Sequence, residues 1–153
     1  MRFLELKVPP PLLAVVIAIL MWLVARASPG YAIVFPYRDG FAIGLAALGM
    51  LFAISGVATF RRAKTTLNPT QPQTVSTLVT SGVYTFTRNP MYLGLLFVLT
   101  GWAIFLSNAW ACAFLPVFVI CMNLLQIRPE ERVLAARFGK EFEAYRRQAR
   151  RWL

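Results

Sequence analysis

Residues 91–127 read MYLGLLFVLTGWAIFLSNAWACAFLPVFVICMNLLQI and contain no charged side chain. Asn108 divides this run into two apolar stretches, 91–107 and 109–127. Each is close to the roughly 17–25 residues that a helix needs to cross a bilayer. Because a single residue joins them, they predict a tight transmembrane helical hairpin. Pro116 is expected to kink the second helix, since proline removes a backbone hydrogen bond.

Two further uncharged apolar stretches, 8–25 and 41–60, precede the hairpin. The chain is 58% apolar and 14% charged, whereas a typical soluble domain is about 45–50% apolar and about 25% charged. This composition excludes disordered, collagen-like and disulfide-rich proteins. It predicts an all-α, polytopic membrane protein with about four transmembrane helices and a C-terminal cytoplasmic amphipathic helix. Small residues in and beside the second stretch predict close helix packing: Gly40, Gly44, Gly49, Ser55 and Gly56.

The distribution of charge predicts the orientation of these helices. The chain has 16 Lys and Arg against 6 Asp and Glu, a net charge of +10. With the N-terminus in the cytoplasm, fourteen of the sixteen basic residues face the cytoplasm and only Arg26 and Arg38 lie outside. The positive-inside rule therefore predicts a bacterial inner (cytoplasmic) membrane protein with both termini cytoplasmic. The charge indicates topology and contact with anionic membrane lipids, not nucleic-acid binding.

We expect one membrane domain over residues 1–153. Its parts are the first two spans (1–60), a cytoplasmic loop (61–90), the helical hairpin (91–127) and a cytoplasmic C-terminal helical segment (128–153). The first span, followed by Ala25-Arg26-Ala27, also resembles a signal peptide with a cleavage site; we expect it to be retained. The oligomeric state stays open, because the small residues of the second span suit a dimer as well as internal packing.

Several chemistries are excluded by what the sequence lacks. There is no histidine, which excludes Ser-His-Asp and Cys-His catalysis and any histidine-bearing metal site, and we expect no metal. Cys112 and Cys121 lie on one helix about 13 Å apart, too far for a disulfide. No ionisable residue lies within a span, which argues against ion transport.

The first polar patch that could carry chemistry surrounds the start of the third span. Asn89 is a favoured N-cap and Pro90 a favoured first helical residue. The free N–H groups of that helix start form a site for a carboxylate or phosphate, next to the fork-shaped donor Arg88. Tyr92 and Gly94 on the first turn leave room for a flat ligand. The alternative is a snorkelling charge, a cap and an interfacial tyrosine without further function.

The second patch begins at Glu130 and Glu131. Gly139 is expected either to divide the helix that follows or to allow a close approach of another element. The alternative is an amphipathic helix lying on the inner leaflet. The hairpin brings both patches side by side, which suits an enzyme that joins a soluble cofactor to a lipid-soluble substrate. An apolar stripe at helical spacing runs along this segment: Leu134, Phe138, Phe142, Tyr145 and Ala149.

These two patches resemble the signatures of a known family. Residues 82–94, GVYTFTRNPMYLG, are similar to G-x-Y-x-x-x-R-[HN]-P-x-Y-x-G, and residues 130–145, EERVLAARFGKEFEAY, to E-E-x-x-L-x-x-x-F-G-x-x-[YF]-x-x-Y. Both signatures belong to the isoprenylcysteine carboxyl methyltransferases and the related phospholipid methyltransferases. The resemblance covers residues 79–152, about half of the chain.

The resemblance implies an integral membrane methyltransferase that uses S-adenosylmethionine at the cytoplasmic face. Arg88 and Glu131 would be the catalytic residues. Asn89 stands where eukaryotic carboxyl methyltransferases resemble one another in having histidine, which leaves the methyl acceptor open. The residues that the resemblance assigns to cofactor contact are Tyr84, Arg88, Asn89, Pro90, Tyr92, Gly94, Glu130, Glu131 and Tyr145.

We predict methyl transfer to the carboxylate of a prenylated or other lipid-soluble or amphipathic acceptor. Such a carboxylate is ionised at pH 7 and needs alignment rather than a general base. Arg88 and the helix start would hold the cofactor's carboxylate or orient the acceptor, and Glu130 or Glu131 its ammonium or ribose. The alternatives are a phospholipid amine methyltransferase, in which one glutamate must act as base, a sterol-reductase-like nicotinamide enzyme, and a non-catalytic membrane subunit.

Overall fold

The computed structural model describes residues 5–34, 36–63 and 77–153. Within these residues there is no β-strand, only helices and short turns. Arg2 and residues 64–76 of the predicted loop 61–90, among them Lys64, lie outside the described residues. The helices are α1 (Pro10–Ala27), α2 (Arg38–Arg62), α3 (Pro90–Leu106), α4 (Ala109–Cys112), α5 (Phe114–Met122), α6 (Arg128–Phe138) and α7 (Lys140–Gln148).

The apolar helices confirm the polytopic membrane fold. Helices α1 and α2 and the run Ala109–Phe138 are each long and apolar enough to cross a bilayer, and α3 is a shorter apolar helix of 17 residues. The run Ala109–Phe138 is interrupted at Ala113, three residues before Pro116. This interruption follows from the missing N–H of Pro116, as predicted.

The helix that contains the fourth apolar stretch extends beyond Ile127, the residue at which that stretch ends. A π-helical turn, Asn123–Ile127, leads directly into α6, so the helix continues to Phe138. Pro129 has no N–H to donate to the carbonyl of Leu125 four residues earlier. The N–H of Leu6 donates to that carbonyl instead, at 2.9 Å. The N-terminal segment thereby supports a helix that the proline would otherwise weaken.

Helices α2 and α3 approach each other at backbone distance. A Cβ on Gly49 would lie 2.5 Å from the carbonyl oxygen of Gly94, and the reverse distance is also 2.5 Å. A Cβ on Gly56 would lie 2.9 Å from a side-chain carbon of α3. A Cβ on Gly40 or Gly44 would meet no described atom within 4 Å. The prediction of close packing is therefore confirmed within the chain for Gly49 and Gly56, whereas Gly40 and Gly44 meet no neighbouring helix among the described residues.

Each end of the bundle is tied together by polar contacts. At one end, the Asn108 side chain accepts the N–H of Trp110 at 3.0 Å and donates to the Ser28 carbonyl at 2.9 Å, which fixes the predicted hairpin turn against the end of α1. At the other end, the side-chain amide of Gln126 donates to the Val8 carbonyl at 2.5 Å. The beginnings of α1, α3 and α6 consequently share one end.

The C-terminal helices form a second small core at that end. Gly139, with φ +49°, separates α6 from α7 as the sequence predicted. The apolar stripe from Leu134 to Ala149 faces inward and packs against Val79, Tyr84 and Phe60. The stripe is therefore covered by protein contacts, where the sequence allowed for a helix lying on the lipid surface.

Candidate functional site

The two sequence patches meet at one ion pair. Arg88, two residues before α3, places its Nη2 3.1 Å from Oε1 of Glu131 on the first turn of α6. The side chains are only 11% and 14% exposed. The contact forms because α3 begins, and the helix after the hairpin ends its membrane crossing, at the same end of the bundle. The predicted juxtaposition is thus observed.

A second contact joins the same two helix starts. Tyr92 is buried on the first turn of α3 and donates its hydroxyl to Oε1 of Glu130 at 2.5 Å. The adjacent glutamates therefore have different partners, a neutral phenol for Glu130 and a guanidinium for Glu131. Among the described residues Glu130 forms no ion pair.

The C-terminal segment after α7 completes the site, and sequence reasoning missed it. The backbone N–H of Arg88 donates to the backbone carbonyl of Arg150 at 2.8 Å. The Arg151 guanidinium binds both carboxylate oxygens of Glu131, at 2.6 and 3.1 Å. The basic residues of this segment predict topology, and the family signature ends at Tyr145, so neither pattern identifies Arg151 as a site residue.

Asn89 occupies the predicted N-cap position but its side chain does not cap the helix. Its Nδ2 instead donates to the Arg151 carbonyl at 2.9 Å, while its own N–H donates to the buried hydroxyl of Thr87 at 3.2 Å. Asn89 thereby holds the C-terminal segment against the start of α3, and its amide is committed to the protein backbone.

Two predicted residues, Tyr84 and Tyr145, contact each other behind this cluster. The Tyr145 hydroxyl donates to the Tyr84 carbonyl at 2.8 Å, and the Tyr84 ring meets Phe60 edge-to-face. Burial raises the pKa of both phenols above their ordinary value. Both side chains therefore stay neutral at physiological pH and link α7 to the turn before α3.

Gly94 and Pro90 are placed against α2. The space left by the missing side chain of Gly94 is filled by Gly49 and Ala53, and Pro90 is buried near Gly56. The structure thus brings Arg88, Asn89, Tyr92, Glu130 and Glu131 together, while Gly94 and Pro90 pack helices. Their assignment to cofactor contact stays a prediction.

The arginine at the centre of the site has unused donors. Arg88 Nε and Nη1 are buried and have no hydrogen-bond partner among the described residues. Burial lowers the pKa of this guanidinium, and the carboxylate of Glu131 opposes that effect. Arginine nevertheless remains protonated in proteins. Each of these two nitrogens can donate a separate hydrogen bond to an anionic group such as a carboxylate, and the positive charge of the guanidinium strengthens such bonds.

Three more buried polar atoms lack a partner among the described residues. Asn123 Oδ1 and Gln126 Oε1 are acceptors on the π-helical turn that leads to Glu130, and Trp152 Nε1 is a donor just after Arg151. The amide nitrogens of Asn123 and Gln126 donate to the Val119 and Val8 carbonyls, which fixes the amide orientation. The sequence analysis did not identify these three residues. For two of them a signal was available, because Asn123 and Gln126 are polar amides in an otherwise apolar run.

Comparison with known proteins extends the resemblance beyond the two signatures. A family model described as phospholipid methyltransferase matches residues 37–141. An uncharacterized protein of Haemophilus influenzae (strain ATCC 51907 / DSM 11121 / KW20 / Rd) is 40% identical over 63 residues, which are 41% of this chain and 100% of that protein. No solved structure matches the chain.

Proposed function

Because the chain belongs to the phospholipid methyltransferase family and is a membrane methyltransferase, we propose S-adenosylmethionine as its methyl donor. We propose that the acceptor is the carboxylate of a prenylated or other lipid-soluble or amphipathic molecule. The site would face the cytoplasm of a bacterial inner membrane. The positions of Arg26 and Arg38, at the end of the bundle opposite the site, support this orientation.

The observation that carries the proposal is the buried pair of unused N–H groups on Arg88. A methyl donor of this class carries an amino-acid carboxylate, and either Nε or Nη1 of Arg88 can donate a charge-assisted hydrogen bond to it. Glu131 already faces Arg88 and Arg151, so Glu130 is the better-placed carboxylate for the ammonium group. When bound, the donor supplies a methyl group on a positively charged sulfur.

The remaining chemistry requires little of the protein beyond alignment. A carboxylate acceptor is ionised near pH 7 and its oxygen is already nucleophilic. In-line transfer from sulfur to oxygen therefore needs no general base, which agrees with a chain that has no histidine. The Arg88–Glu131–Arg151 cluster and the Tyr92–Glu130 pair would hold the donor while the acceptor approaches from the lipid.

A second candidate is methyl transfer to a lipid amine, as in a phospholipid amine methyltransferase. One observation favours it: Glu130 receives a hydrogen bond from Tyr92 but has no arginine partner among the described residues. An amine acceptor loses a proton on methylation, and Glu130 is the carboxylate placed to accept it.

The stability of the transferred methyl group distinguishes the two acceptors. Membranes containing the protein are incubated with methyl-labelled S-adenosylmethionine and lipid extract, and the extracted product is treated with base. A methyl ester releases its label as volatile methanol, whereas an N-methyl group retains it. Volatile label supports the carboxylate acceptor and retained label the amine acceptor. Absence of labelled product, with binding of a nicotinamide nucleotide instead, would overturn both.

A further inference from the structure

A cavity lies beside the site, at the junction of the N-terminal segment with α6 and α7. Its volume is about 460 Å³. Glu5 stands before α1, Leu124 belongs to the π-helical turn, and Arg128 and Arg132 project from α6. Arg146 of α7 closes the other side. Of the residues that line the cavity, Glu131 alone belongs to the candidate methyl-transfer site.

The charge of this cavity is positive once its internal pairs are counted. Arg132 pairs with Glu5, and the carboxylate of Glu131 is shared by two arginines outside the cavity lining. Arg146 has only an exposed partner, Glu143, at 3.0 Å. Arg128 forms no ion pair with any described residue. An anion entering the cavity would therefore meet at least one unpaired guanidinium.

The cavity extends from the membrane-crossing part of the helix to its polar continuation. Leu124 belongs to the apolar run, and Ala135, also in the lining, is eleven residues further along the same helix. At about 1.5 Å per residue this is roughly 16 Å. Arg128 lies between them, one residue after the apolar run ends. A ligand that fills this space has an apolar part next to Leu124 and an anionic group next to the arginines.

We propose that this cavity binds the phosphate of an anionic phospholipid as a resident lipid that is not the methyl acceptor. Guanidinium groups bind phosphate oxygens through pairs of N–H donors, which favours arginine at such a site. The position of Leu124 in the apolar run favours a lipid rather than free phosphate as the source. The bound lipid joins the N-terminal segment to α6 and α7 next to Glu131, and thereby stabilises the end of the bundle that carries the site.

The test is titration of the purified protein in detergent with a short-chain phosphatidylglycerol, without any methyl donor. Replacing Arg128→Gln together with Arg146→Gln should raise the lipid Kd about tenfold or more, because each basic residue near an anionic headgroup contributes to binding. Arg61→Gln with Arg147→Gln removes the same charge from exposed arginines outside the cavity and should leave the Kd within about twofold. The single variant Arg128→Lys, which keeps the charge, should retain most of the affinity.

Three results would overturn the proposal. Equal weakening by the two double variants would show general electrostatic attraction to the basic end of the bundle. Inorganic phosphate binding as tightly as the lipid would identify a free anion as the ligand. In a separate incubation with methyl-labelled S-adenosylmethionine, transfer of label to phosphatidylglycerol would identify this lipid as an acceptor. Because binding is measured without a methyl donor, the result is independent of the proposed function.

Discussion

Arg151 binds both carboxylate oxygens of Glu131, at 2.6 and 3.1 Å, and so extends the Arg88–Glu131 pair into a three-residue cluster. The carboxylate is shared by two guanidinium groups, one before α3 and one after α7. Because Arg88 uses only one nitrogen for Glu131, its other two remain available for a ligand. Arg151 therefore acts as a positioning residue that fixes Glu131 and, through it, Arg88.

The first prediction concerns this positioning role. Arg151→Gln should weaken S-adenosylmethionine binding about tenfold, because Glu131 loses its two-point partner and becomes free to turn away from Arg88. Arg151→Lys should recover only part of the affinity, since an ammonium group cannot reproduce the fork. The measurement is calorimetric titration in detergent. Arg150→Gln is the matched control, because Arg150 contributes its backbone carbonyl; equal losses in both variants would contradict the role of Arg151.

The second prediction concerns the stability of the cluster. Glu131→Gln leaves two neighbouring guanidinium groups without their counter-ion in a largely buried position. Breaking a buried pair in this way is expected to cost about 3 kcal/mol of unfolding free energy. Glu143→Gln, which removes the exposed partner of Arg146, should cost less than about 0.5 kcal/mol. Chemical unfolding in detergent measures both, and equal costs would refute the structural role of Glu131.

The third prediction separates packing from ligand contact at the glycines. Gly94→Ala places a Cβ 2.5 Å from the Gly49 carbonyl oxygen, so α2 and α3 must separate. This should lower stability by about 1–3 kcal/mol. Gly44→Ala adds the same atom where no described atom lies within 4 Å and should not destabilise the protein. Thermal unfolding compares the two variants; an unchanged midpoint for Gly94→Ala would show that the helices are further apart.

The fourth prediction is a loss of stability at alkaline pH. Burial raises the pKa of Tyr84 and Tyr145 in the folded protein above the ordinary value of about 10. Above that value the unfolded chain releases protons that the folded chain retains, so the free energy of unfolding falls as pH rises. Their contribution is fully present below about pH 10.

The control for this prediction is Tyr145→Phe. It should reduce the slope of the unfolding midpoint against pH above about pH 10, although it also lowers stability at pH 7 by removing the hydrogen bond to the Tyr84 carbonyl. A slope identical to that of the wild-type protein would contradict the raised pKa of Tyr145.

Local patterns were sufficient to predict much of this fold. The helix start at Pro90, the hairpin turn at Asn108 and the helix break at Gly139 all follow from residues within one turn of the feature. The continuation of the helix past Ile127 and Pro129 into α6 could not be predicted in this way. It depends on a hydrogen bond from Leu6, which is close only after the whole bundle has formed.

The site, like the fold, has one part that local sequence predicts and another that depends on contacts formed only in the folded bundle. The Arg88–Glu131 contact was predictable because the hairpin connects its two halves, but the contribution of Arg151 depends on a backbone pairing between the C-terminal segment and Thr87. Gly94 illustrates the opposite error. The pattern marked it as open space for a ligand, whereas a neighbouring helix fills that space.

The central claim is that Arg88 holds the carboxylate of the methyl donor. Its most direct test is calorimetric titration of S-adenosylmethionine into wild-type protein and into Arg88→Gln, with Arg62→Gln as the control for charge. Removing a buried charged donor pair should weaken binding about a hundredfold. The wild type and Arg62→Gln should bind S-adenosylmethionine with equal affinity. Binding by Arg88→Gln should lie at or below the detection limit of the titration. The unfolding midpoint of Arg88→Gln should show that this variant is folded. Equal affinity of Arg88→Gln and wild type, or no binding by either at millimolar donor, would contradict the claim.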